Sequence, residues 1–578
     1  MTEHSVFSRE AEDFFYMEKN VPCQSACPAS TNIPAYIKAA FEGDYNGSYE
    51  INRLANILPG VLGRICSRPC EEKCRHGEPE LGKPVDICHI KRLAADHREL
   101  RITSDRPSHP DMGKQVAVIG SGPAGLAAAH DLRMVGISVT LFEAFDRPGG
   151  MLAYGIPEFR LPRPVLEEEI NNILSLGVDL KTGVRVGRDV TIESLLSRYD
   201  AVLVAAGCYT PRALDIPGES LPGVYSGLDF MIDVCSGNTP ALGKRVLVLG
   251  AGFTAFDCAR SALRLGAVDV GICLRRTEED LVVTRDEILE TKREGVTIHT
   301  LMVSTRILGT EKMEGVEFVR TRPGDRRSDG KREVTPIPGS EFTLPADAIM
   351  VATGQTPEPF AAPGDKDLRG ILKTDGDSFG TSVPGLYAAG DYVAGPSTVI
   401  EAVAAGRRAA GRIAEDLAGK RFLERAVRLQ QTETTGRKRT WDFIPRQEMP
   451  TVASIRDRVT QPIPEVETGY TREQGLEEAK RCYLCYLHYE IDIDRCIYCR
   501  YCIDVAPRDC IKLVEEVKLN DVGAIAGFVE TSDWGKVNAV MIDNQRCIRC
   551  GECMRVCPVD CISVTRVELV ERLLNKGG

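Results

Sequence analysis

Residues 114–136 read KQVAVIGSGPAGLAAAHDLRMVG, an apolar strand followed by a glycine turn and a helix. Gly120, Gly122 and Gly125 form the pattern G-x-G-x-x-G between strand and helix, which is the context that a dinucleotide-binding turn requires. The first glycine makes the tight turn, the second lets the backbone approach a pyrophosphate, and the third allows the helix to pack closely on the strand. The phosphates would lie at the positive end of the helix. The stretch therefore predicts an α/β unit that binds a dinucleotide.

An acidic residue follows at the end of the next predicted strand, VTLFE. There Glu143 could accept a hydrogen bond from a ribose hydroxyl. A lone glycine pattern is weak evidence, and an acid at a strand end is usually just solvated. Strand, turn, helix and acid occur here in register, so together they favour a nucleotide site.

The same order of elements returns in KRVLVLGAGFTAFDCARSALRLG, residues 244–266. Its turn positions are filled by Gly250, Gly252 and Ala255. Alanine suffices at the third position, which needs only a small residue. The next strand ends in Arg275 and Arg276 instead of an acid, and two guanidinium groups suit the extra phosphate of NADPH. The pattern favours NADPH without excluding NADH, and the alternative is a pair of surface arginines.

Length and charge limit the class of protein. A chain of 578 residues is expected to form several domains at roughly 150 residues each. The net charge of -11 argues against a nucleic-acid surface, which needs a basic face. No run approaches the roughly 20 apolar residues that span a bilayer, and the mixed, charged N-terminus is unlike a secretory signal. We therefore expect a cytoplasmic protein whose cysteines stay reduced.

Many of the 21 cysteines lie in a repeat. CIYCRYCIDVAPRDC, residues 496–510, is followed by CIRCGECMRVCPVDC, residues 547–561. The second copy follows the bacterial ferredoxin run, in which three cysteines hold one iron–sulfur cluster and the fourth holds the other. Zinc is the alternative for any single C-x-x-C pair, but two such runs favour iron–sulfur. The expected ligands are Cys496, Cys499, Cys502, Cys547, Cys550, Cys553 and Cys557.

One fourth ligand is missing, because Ala506 stands where the first copy should have a cysteine. By the crossing rule, Cys557 completes the cluster of the first copy, so the gap falls on the cluster of the second copy. Cys510 is the nearest replacement. Cys561 occupies the same place in the intact copy, so both could instead be small core residues. The site could also hold a three-iron cluster or use a ligand that is not a cysteine.

Five stretches carry a resemblance to a known family. They are GSGPAGL, RPGGMLAYGIPEFRLP (147–162), VLVAAG (202–207), IMVATG (349–354) and GLYAAGDYVAGPSTVIEAVAAGRRAA (385–410). These stretches resemble the FAD-dependent pyridine nucleotide oxidoreductases. More narrowly, they resemble the small subunit of NADPH-dependent glutamate synthase and the corresponding part of dihydropyrimidine dehydrogenase. The resemblance covers residues 1 to about 420.

The resemblance implies an α/β fold with FAD in the first nucleotide unit. We expect an N-terminal helical iron–sulfur domain, two Rossmann-like domains of which the FAD domain is interrupted by the NAD(P) domain, and a C-terminal bacterial-ferredoxin-like α+β domain. The expected boundaries are 1–110 (helical iron–sulfur), 111–235 and 356–420 (FAD), 236–355 (NAD(P)), 421–475 (connecting arm) and 476–578 (ferredoxin-like).

The resemblance also implies flavin contacts. Pro123 and Ala124 belong to the FAD turn, and the backbone of Gly149 and Gly150 would pass close to the flavin. Gly390 and Asp391, in AAGD, would contact the ribityl and phosphate region. The alternative for Asp391 is that it caps the following helix. The remaining cysteines of this part are isolated in sequence, which argues against a dithiol reductase, and we expect them to be buried small residues: Cys208, Cys235, Cys258 and Cys273.

The family's N-terminal domain implies two more clusters, one of which is displaced here. The family places R-C-x-x-C shortly before P-C-x-x-x-C-P, but no cysteine precedes PCQSACP, and RCYLC occurs instead just before the ferredoxin repeat. The resemblance therefore implies a site that joins the two ends of the chain, with the ligands Cys23, Cys27, Cys482 and Cys485. The alternative is that the RCYLC pair serves the incomplete ferredoxin cluster or no cluster.

The second N-terminal cluster would use ICSRPCEEKC and VDICHIKR. Its implied ligands are Cys66, Cys70, Cys74 and Cys88. The family often has a glutamine or glutamate slightly further on, where this chain has Lys91, which cannot ligate while charged. This departure favours Cys88 and makes four clusters in all, one of which could be atypical.

These parts together imply electron transfer. A nicotinamide delivers two electrons as a hydride, clusters take one at a time, and a flavin can do both. We expect an NAD(P)H:acceptor oxidoreductase subunit that exchanges electrons with ferredoxin or with a larger redox complex, such as a 2-oxoacid:ferredoxin oxidoreductase, in a hetero-oligomer. Redox chemistry would be carried by FAD and clusters, so no residue is named catalytic. The alternatives are the small subunit of a glutamate synthase and a non-catalytic iron–sulfur assembly subunit.

Overall fold

The strand that precedes the first glycine turn lies in the middle of a parallel sheet. The computed structural model describes residues 5–79, 81–100, 109–326, 332–359, 362–434, 436–459 and 464–574. The chain divides into two units, one of residues 1–103, 421–450 and 469–578, the other of residues 104–420 and 451–468. Within the described ranges, none of the helices has the length and apolar character needed to cross a bilayer.

The second unit, residues 104–420 and 451–468, contains this first parallel sheet. Its five strands, in order, are Leu386–Ala388, Ala201–Val204, Gln115–Ile119, Ser138–Phe142 and Asp179–Lys181. Every residue of Ala201–Val204 is buried, as expected for a parallel strand with both faces covered. Leu386–Ala388 comes last in the chain, so the first sheet is completed only by residues that follow the second nucleotide domain.

The second parallel sheet occupies the interruption. Its strands, in order, are Thr297–His299, Asp269–Cys273, Arg245–Leu249, Ala348–Val351 and Val224–Ser226. An antiparallel sheet shares an apolar core with it; its strands are Met302–Gly309, Met313–Arg326, Arg332–Pro336 and Phe342–Pro345. The predicted fold class, in which one Rossmann-like domain is interrupted by another, is confirmed.

The second unit contains ten α-helices in the described ranges. They are Pro123–Met134, Met151–Tyr154, Arg163–Leu174, Ile192–Leu196, Gly227–Cys235, Phe253–Arg264, Arg285–Arg293, Asp391–Ala394, Val399–Ala418 and Ile455–Arg458. The helix Val399–Ala418 crosses Pro123–Met134 so closely that a Cβ on Gly406 would stand 2.0 Å from the carbonyl oxygen of Ala124. Glycine is therefore required at this crossing.

The first unit contains the predicted helical domain. Its helices are Ala11–Asn20, Pro22–Ala26, Ile33–Phe41, Tyr45–Arg53, Pro59–Ile65, Pro69–Glu72, Ile87–His97 and Arg472–Lys480. Asn32 and Asp44 cap two of them by accepting hydrogen bonds from backbone N–H groups, which satisfies donors that a helix leaves unpaired at its start. Cys23, Cys70 and Cys88 lie in the first turns of helices, and the other cysteines of this domain lie at or just after helix ends.

The ferredoxin-like part completes the first unit. Its sheets consist of Val6–Ser8, Leu423–Gln431, Ile562–Leu573 and Leu487–Ile491, and of Ile525–Glu530, Ile511–Leu519 and Ala539–Ile542. Two short helices, Tyr501–Val505 and Glu552–Arg555, follow the cysteine loops.

Residues 421–475 are less of a simple arm than the sequence suggests. Leu423–Gln431 is a strand that pairs along its length with Ile562–Leu573. Only two of its residues, Ala426 and Val427, are buried, so the alternation that marks a half-buried strand is weak, and its partner is distant in sequence. Residues 451–468 belong instead to the second unit, where Arg458 donates to Glu290 at 2.6 Å.

Candidate functional site

Two of the three glycines in the first turn are required by the packing of the protein itself. Gly120 has a φ of +100°, and a Cβ there would stand 2.5 Å from the carbonyl oxygen of Ala205. A Cβ on Gly125 would stand 1.9 Å from the carbonyl oxygen of Gly120. Among the described residues, a Cβ on Gly122 would meet only the Cα of Gly150, at 4.0 Å. The side of the middle glycine is therefore open to a ligand, as a pyrophosphate site needs.

Pro123 and Ala124 begin the helix that follows the turn. Pro123 occupies the first helical position, where its missing N–H costs no hydrogen bond. Ala124 is buried, and a Cβ on Gly390 would stand 2.9 Å from its Cβ. The structure thus brings Gly390, predicted from a distant part of the chain, against the start of the first nucleotide helix.

Glu143 is buried beside the turn and is 5% exposed. One of its oxygens accepts from the N–H and the hydroxyl of Ser121, at 3.1 and 2.5 Å, and the other accepts from the N–H of Phe145 at 2.9 Å. The carboxylate therefore holds the turn in place. Each oxygen can accept more than one hydrogen bond, so the predicted ribose contact stays compatible with this geometry and stays a prediction.

Gly149 and Gly150 lie directly on the first turn. The N–H of Gly149 donates to the carbonyl oxygen and the hydroxyl of Ser121, both at 3.1 Å. Gly150 has a φ of +55° and a ψ of −133°, a conformation open mainly to glycine. A Cβ there would stand 2.8 Å from the Cα of Gly122. The flavin contact of these two residues remains a prediction, but they do border the side of the turn that is open to a ligand.

The structure excludes the helix-capping role of Asp391. The long helix Val399–Ala418 is capped by Thr398, which forms a capping box with Glu401. Asp391 begins a separate short helix and accepts from the hydroxyl of Ser397 at 2.5 Å. Burial raises the pKa of its carboxyl group. Its contact with a bound sugar or phosphate stays a prediction.

The second glycine turn repeats the division of roles found in the first. A Cβ on Gly250 would stand 2.3 Å from the carbonyl oxygen of Ala352, so this glycine serves the fold. A Cβ on Gly252 would meet no described atom within 4 Å. Ala255 is fully buried under the turn. The open middle position is where a nucleotide pyrophosphate fits.

The two arginines after the second turn are held differently. Arg276 donates through Nε to the carbonyl oxygen of Arg332 at 2.8 Å. Arg275 is exposed, and its own carbonyl oxygen accepts from the hydroxyl of Thr321 at 2.9 Å. The side chain of Arg275 is thus the more accessible of the two for a phosphate group.

Four cysteine loops share one local geometry. The residue two positions after the leading cysteine is left-handed in each loop, with φ of 62°, 53°, 55° and 57° at Arg68, Leu484, Tyr498 and Arg549. The N–H of the last three lies 3.4 Å from the Sγ of Cys482, Cys496 and Cys547, and the N–H of Arg68 likewise bonds Cys66. An N–H donor stabilises a thiolate, the form that ligates metal. The loops therefore fit iron–sulfur clusters.

No three or more histidine, cysteine, aspartate or glutamate side chains in the described ranges surround a single metal-ion position. The cysteines do lie in four groups, here called neighbourhoods, whose thiols interact electrostatically or line one cavity. Burial raises the pKa of Cys23 well above its ordinary value, and the neighbouring thiols of Cys485, Cys74 and Cys482 raise it further. One neighbourhood thus contains Cys23, Cys74, Cys482 and Cys485, which includes the predicted approach of the two ends of the chain.

A second neighbourhood surrounds Lys91. Burial lowers the pKa of this lysine, but the nearby thiolates outweigh the burial and raise it overall. These thiols are Cys88, Cys66, Cys70 and Cys27. The Nζ of Lys91 lies 4.0 Å from the Sγ of Cys88. A charged lysine thus accompanies this set, where the family often has a possible ligand.

Two cysteines have exchanged places relative to the sequence expectation. Cys27 lies with the second set and Cys74 with the first. The helix Pro22–Ala26 ends at Cys27, and Pro69–Glu72 ends just before Cys74, and both cysteines have extended backbone. Residues four apart share a helix face only while the helix continues, so the thiols of each pair diverge.

The ferredoxin repeat forms the other two neighbourhoods. Cys510 lies close to Cys547, Cys550 and Cys553. The side-chain hydrogen bond between Cys510 and Cys547 is the main cause that raises the pKa of Cys510, and burial is the second. The structure therefore brings the replacement candidate to the set that lacks a fourth cysteine. The role of Cys510 as the fourth ligand stays a prediction.

The remaining neighbourhood contains five cysteines. A cavity is lined by Cys496, Cys499, Cys502, Cys557 and Cys561. The Sγ atoms of Cys557 and Cys561 are 3.5 Å apart, and the N–H of Cys561 donates to the Sγ of Cys557 at 3.4 Å. Cys561 thus lies beside the predicted fourth ligand.

Sequence reasoning overlooked Arg549, which is fully buried between two of these neighbourhoods. The only signal was its place inside a C-x-x-C loop, where the first copy has Tyr498. Among the isolated cysteines, Cys208, Cys258 and Cys273 are buried as expected, while Cys235 is half-buried.

Comparison with known proteins identifies the family. The family model described as pyridine nucleotide-disulphide oxidoreductase matches residues 114–406. The chain belongs to this family. Two further models match this oxidoreductase: dihydropyrimidine dehydrogenase domain II with a 4Fe-4S cluster at residues 8–101, and a 4Fe-4S dicluster domain at residues 495–561.

Three relatives extend the comparison of this oxidoreductase. The beta subunit of an NADP(+)-dependent formate dehydrogenase from Moorella thermoacetica is 38% identical over 80% of this chain and 70% of its own length. The beta subunit of an NADPH-Fe(3+) oxidoreductase from Geobacter sulfurreducens is 33% identical over 82% of this chain and 76% of its own length. A glutamate synthase [NADPH] small chain from Escherichia coli is 36% identical over 57% of this chain and 74% of its own length.

The matches confirm the predicted class and cofactors. This oxidoreductase depends on NAD(P)H, and it uses FAD and 4Fe-4S clusters. The resemblance to the glutamate synthase small subunit and to dihydropyrimidine dehydrogenase is also confirmed. The open glycines and the cysteine loops described above provide room and donors for these groups.

Proposed function

We propose that this chain is the nucleotide-oxidising or nucleotide-reducing subunit of a larger redox enzyme, and that it passes electrons between NADP(H) and a partner's redox centres. The observation that carries the proposal is the neighbourhood of Cys23, Cys74, Cys482 and Cys485. It unites cysteines of the N-terminal domain with a loop that leads directly into the ferredoxin-like repeat. A flavin, when bound, exchanges a hydride with the nicotinamide and single electrons with clusters.

The relatives support a partner outside this chain. All three are named as subunits or chains of larger enzymes. The two beta subunits match about four-fifths of this chain, whereas the glutamate synthase small chain matches 57%. This favours an electron-transfer subunit with a ferredoxin-like module over a glutamate synthase subunit. The name of the Moorella relative, which refers to NADP(+), supports electron flow towards the nucleotide as well as away from it.

We place four clusters in the chain and propose their ligands from the neighbourhoods. The sets are Cys23, Cys74, Cys482 and Cys485; Cys27, Cys66, Cys70 and Cys88; Cys510, Cys547, Cys550 and Cys553; and Cys496, Cys499, Cys502 and Cys557. Three sets are supported by the electrostatic interactions of their thiols, and the fourth by the cavity that its cysteines line. Each set also includes one cysteine whose sulfur accepts a backbone N–H hydrogen bond, namely Cys482, Cys66, Cys547 or Cys496.

Electrons would leave for the partner, or arrive from it, at the set of Cys496, Cys499, Cys502 and Cys557. Cys496, Cys499 and Cys502 are half-buried, while Cys547, Cys550 and Cys553 are buried. Exposed apolar side chains flank the half-buried set, among them Ile497 at 58% and Tyr501 at 56% exposure. A redox partner that docks there would come close to a cluster, whereas the buried set is shielded.

NADPH is the nucleotide we propose, because an exposed arginine, instead of an acid, follows the second nucleotide strand. Anaerobic addition of substoichiometric NADPH to the holoprotein should bleach the flavin first, and cluster EPR signals should then appear. The same titration with NADH should be less effective, since NADH lacks the phosphate that Arg275 would bind. If neither nucleotide bleaches the flavin, the proposal fails in favour of an assembly subunit with structural clusters.

Cys510 is proposed as the ligand that replaces the missing cysteine at Ala506. Cys510→Ser should convert one 4Fe-4S cluster to a three-iron form, because three thiolates remain at that site. EPR of the oxidised protein should then show a three-iron signal that the wild type lacks. The matched control is Cys561→Ser at the equivalent place of the other repeat, where Cys557 is present. If both variants gave the same spectrum as the wild type, Cys510 would be a core residue.

A further inference from the structure

Arg549 lies between two of the cysteine neighbourhoods. Its side chain is completely buried, which is costly for a charged group unless it is compensated. The guanidinium donates to the carbonyl oxygen of Leu487 at 3.2 Å and to that of Cys485 at 3.3 Å, and it also donates to the carbonyl oxygen of Cys547. One rigid planar group thus ties the loop of Cys482 and Cys485 to the loop of Cys547 and Cys550.

The charge of Arg549 faces the same two cysteine loops. Its N–H groups donate to backbone carbonyl oxygens in both loops, those of Cys485 and Cys547. Arginine stays protonated at any ordinary pH, and the positive charge between the loops is therefore permanent. In a buried setting, a charge acts on its neighbours much more strongly than it would in water.

The backbone of these loops does not require an arginine, since Leu484 and Tyr498 occupy the position that Arg68 and Arg549 occupy in the other two. The first ferredoxin loop has the same left-handed backbone and the same N–H to sulfur bond, but Tyr498 occupies the equivalent position. The loop around Arg549 has the backbone geometry of the other loops and needs no arginine for it. The Arg549 side chain is instead positioned to hydrogen-bond the carbonyl oxygens of Cys485 and Leu487 in and beside the Cys482–Cys485 loop.

We propose that Arg549 is the positioning residue that connects two clusters for electron transfer. One cluster is held by Cys23, Cys74, Cys482 and Cys485, and the other by Cys510, Cys547, Cys550 and Cys553. The inference rests on the proposed function, since it assumes that both sets hold clusters. The guanidinium donates to the carbonyl oxygens of Cys485 and Cys547, one from each set, and so holds the two cysteine loops together.

The same charge raises the reduction potential of both clusters. Reduction adds one negative charge to a cluster, and a nearby positive charge stabilises that reduced form. Because Arg549 contacts loops of both sets, it shifts both potentials in the same direction. Both clusters are thereby made easier to reduce.

The test compares Arg549→Gln, which removes the charge, with Arg549→Lys, which keeps it but loses the planar fork. EPR-monitored titration of the holoprotein with chemical reductant should show two cluster potentials moved to more negative values in Arg549→Gln and the other two unchanged. Arg549→Lys should restore those potentials. In stopped-flow mixing with NADPH, both variants should reduce the ferredoxin-like clusters about ten- to a hundredfold more slowly, the loss typical of outer-shell partners.

A matched control removes a buried ion pair that carries no net charge, beside the cluster of Cys482. Arg437 donates to the carbonyl oxygen of Cys482 at 3.3 Å and pairs with Asp442 at 2.7 Å. The double variant Arg437→Gln with Asp442→Asn removes no net charge, so the potentials should stay in place. Unchanged potentials in Arg549→Gln, or shifted potentials in Arg549→Lys, would overturn the inference. If Arg549→Gln loses iron, Arg549→Lys decides alone. Wild-type potentials with slower reduction of the ferredoxin-like clusters would support the inference, and any other result would overturn it. The chemical titration needs no nucleotide, so failure of NADPH to bleach the flavin would overturn only the proposed function.

Discussion

Cys482→Ser is expected to disrupt one 4Fe-4S cluster and to interrupt electron transfer from the flavin to the ferredoxin-like repeat. Cys482 lies with Cys23, Cys74 and Cys485 at the junction of the two ends of the chain. Serine cannot replace the thiolate as a soft ligand for iron. The iron content should fall, and the EPR signal of one 4Fe-4S cluster should disappear. Bleaching of the flavin by NADPH should persist, because both glycine turns belong to the other structural unit.

The same experiment separates the two possible groupings of the N-terminal cysteines. Cys74→Ser should remove the same EPR signal as Cys482→Ser, and Cys27→Ser should remove a different one. The arrangement expected from the family resemblance gives the opposite result, with Cys27 sharing the signal of Cys482. Cys273→Ser is the matched control, since Cys273 is buried in the apolar core of the nucleotide domain. Full iron content in Cys482→Ser would show that the RCYLC pair binds no cluster.

The sequence predicted the elements of this site better than their arrangement. Glycine turns and C-x-x-C loops are local, because each is a short backbone conformation determined by a few adjacent residues. The two glycine turns and the approach of Cys482 and Cys485 to Cys23 therefore agree with the expectation. The exchange of Cys27 and Cys74 could not be predicted, because it depends on where two very short helices end.

Strand pairing between segments distant in sequence could not be predicted from local patterns either. Leu423–Gln431 carries mostly polar residues and becomes a strand through its pairing with two distant segments, Ile562–Leu573 and Val6–Ser8. Arg549 was missed for the same reason. An arginine inside a cysteine loop gives no sign that its partners are the carbonyl groups of Cys485 and Leu487.

Gly252→Ala is expected to weaken nucleotide binding strongly without affecting the fold. A Cβ at this position would meet no described atom of the protein within 4 Å, and its φ of −99° suits alanine. The methyl group would instead occupy the space through which the backbone approaches the pyrophosphate. Hydrogen bonds to a charged group contribute about 1.5–3 kcal/mol, so KM for NADPH should rise roughly ten- to a hundredfold.

The matched variant is Gly250→Ala, two residues earlier in the same turn. Its Cβ would stand 2.3 Å from the carbonyl oxygen of Ala352, so the strand beneath the turn must move and the domain should lose stability. Thermal unfolding and the flavin content should therefore stay at wild-type values in Gly252→Ala, while the unfolding temperature falls in Gly250→Ala. An unchanged KM in a stable Gly252→Ala variant would mean that the nucleotide does not bind across this turn. Electrons would then have to enter the flavin from another site.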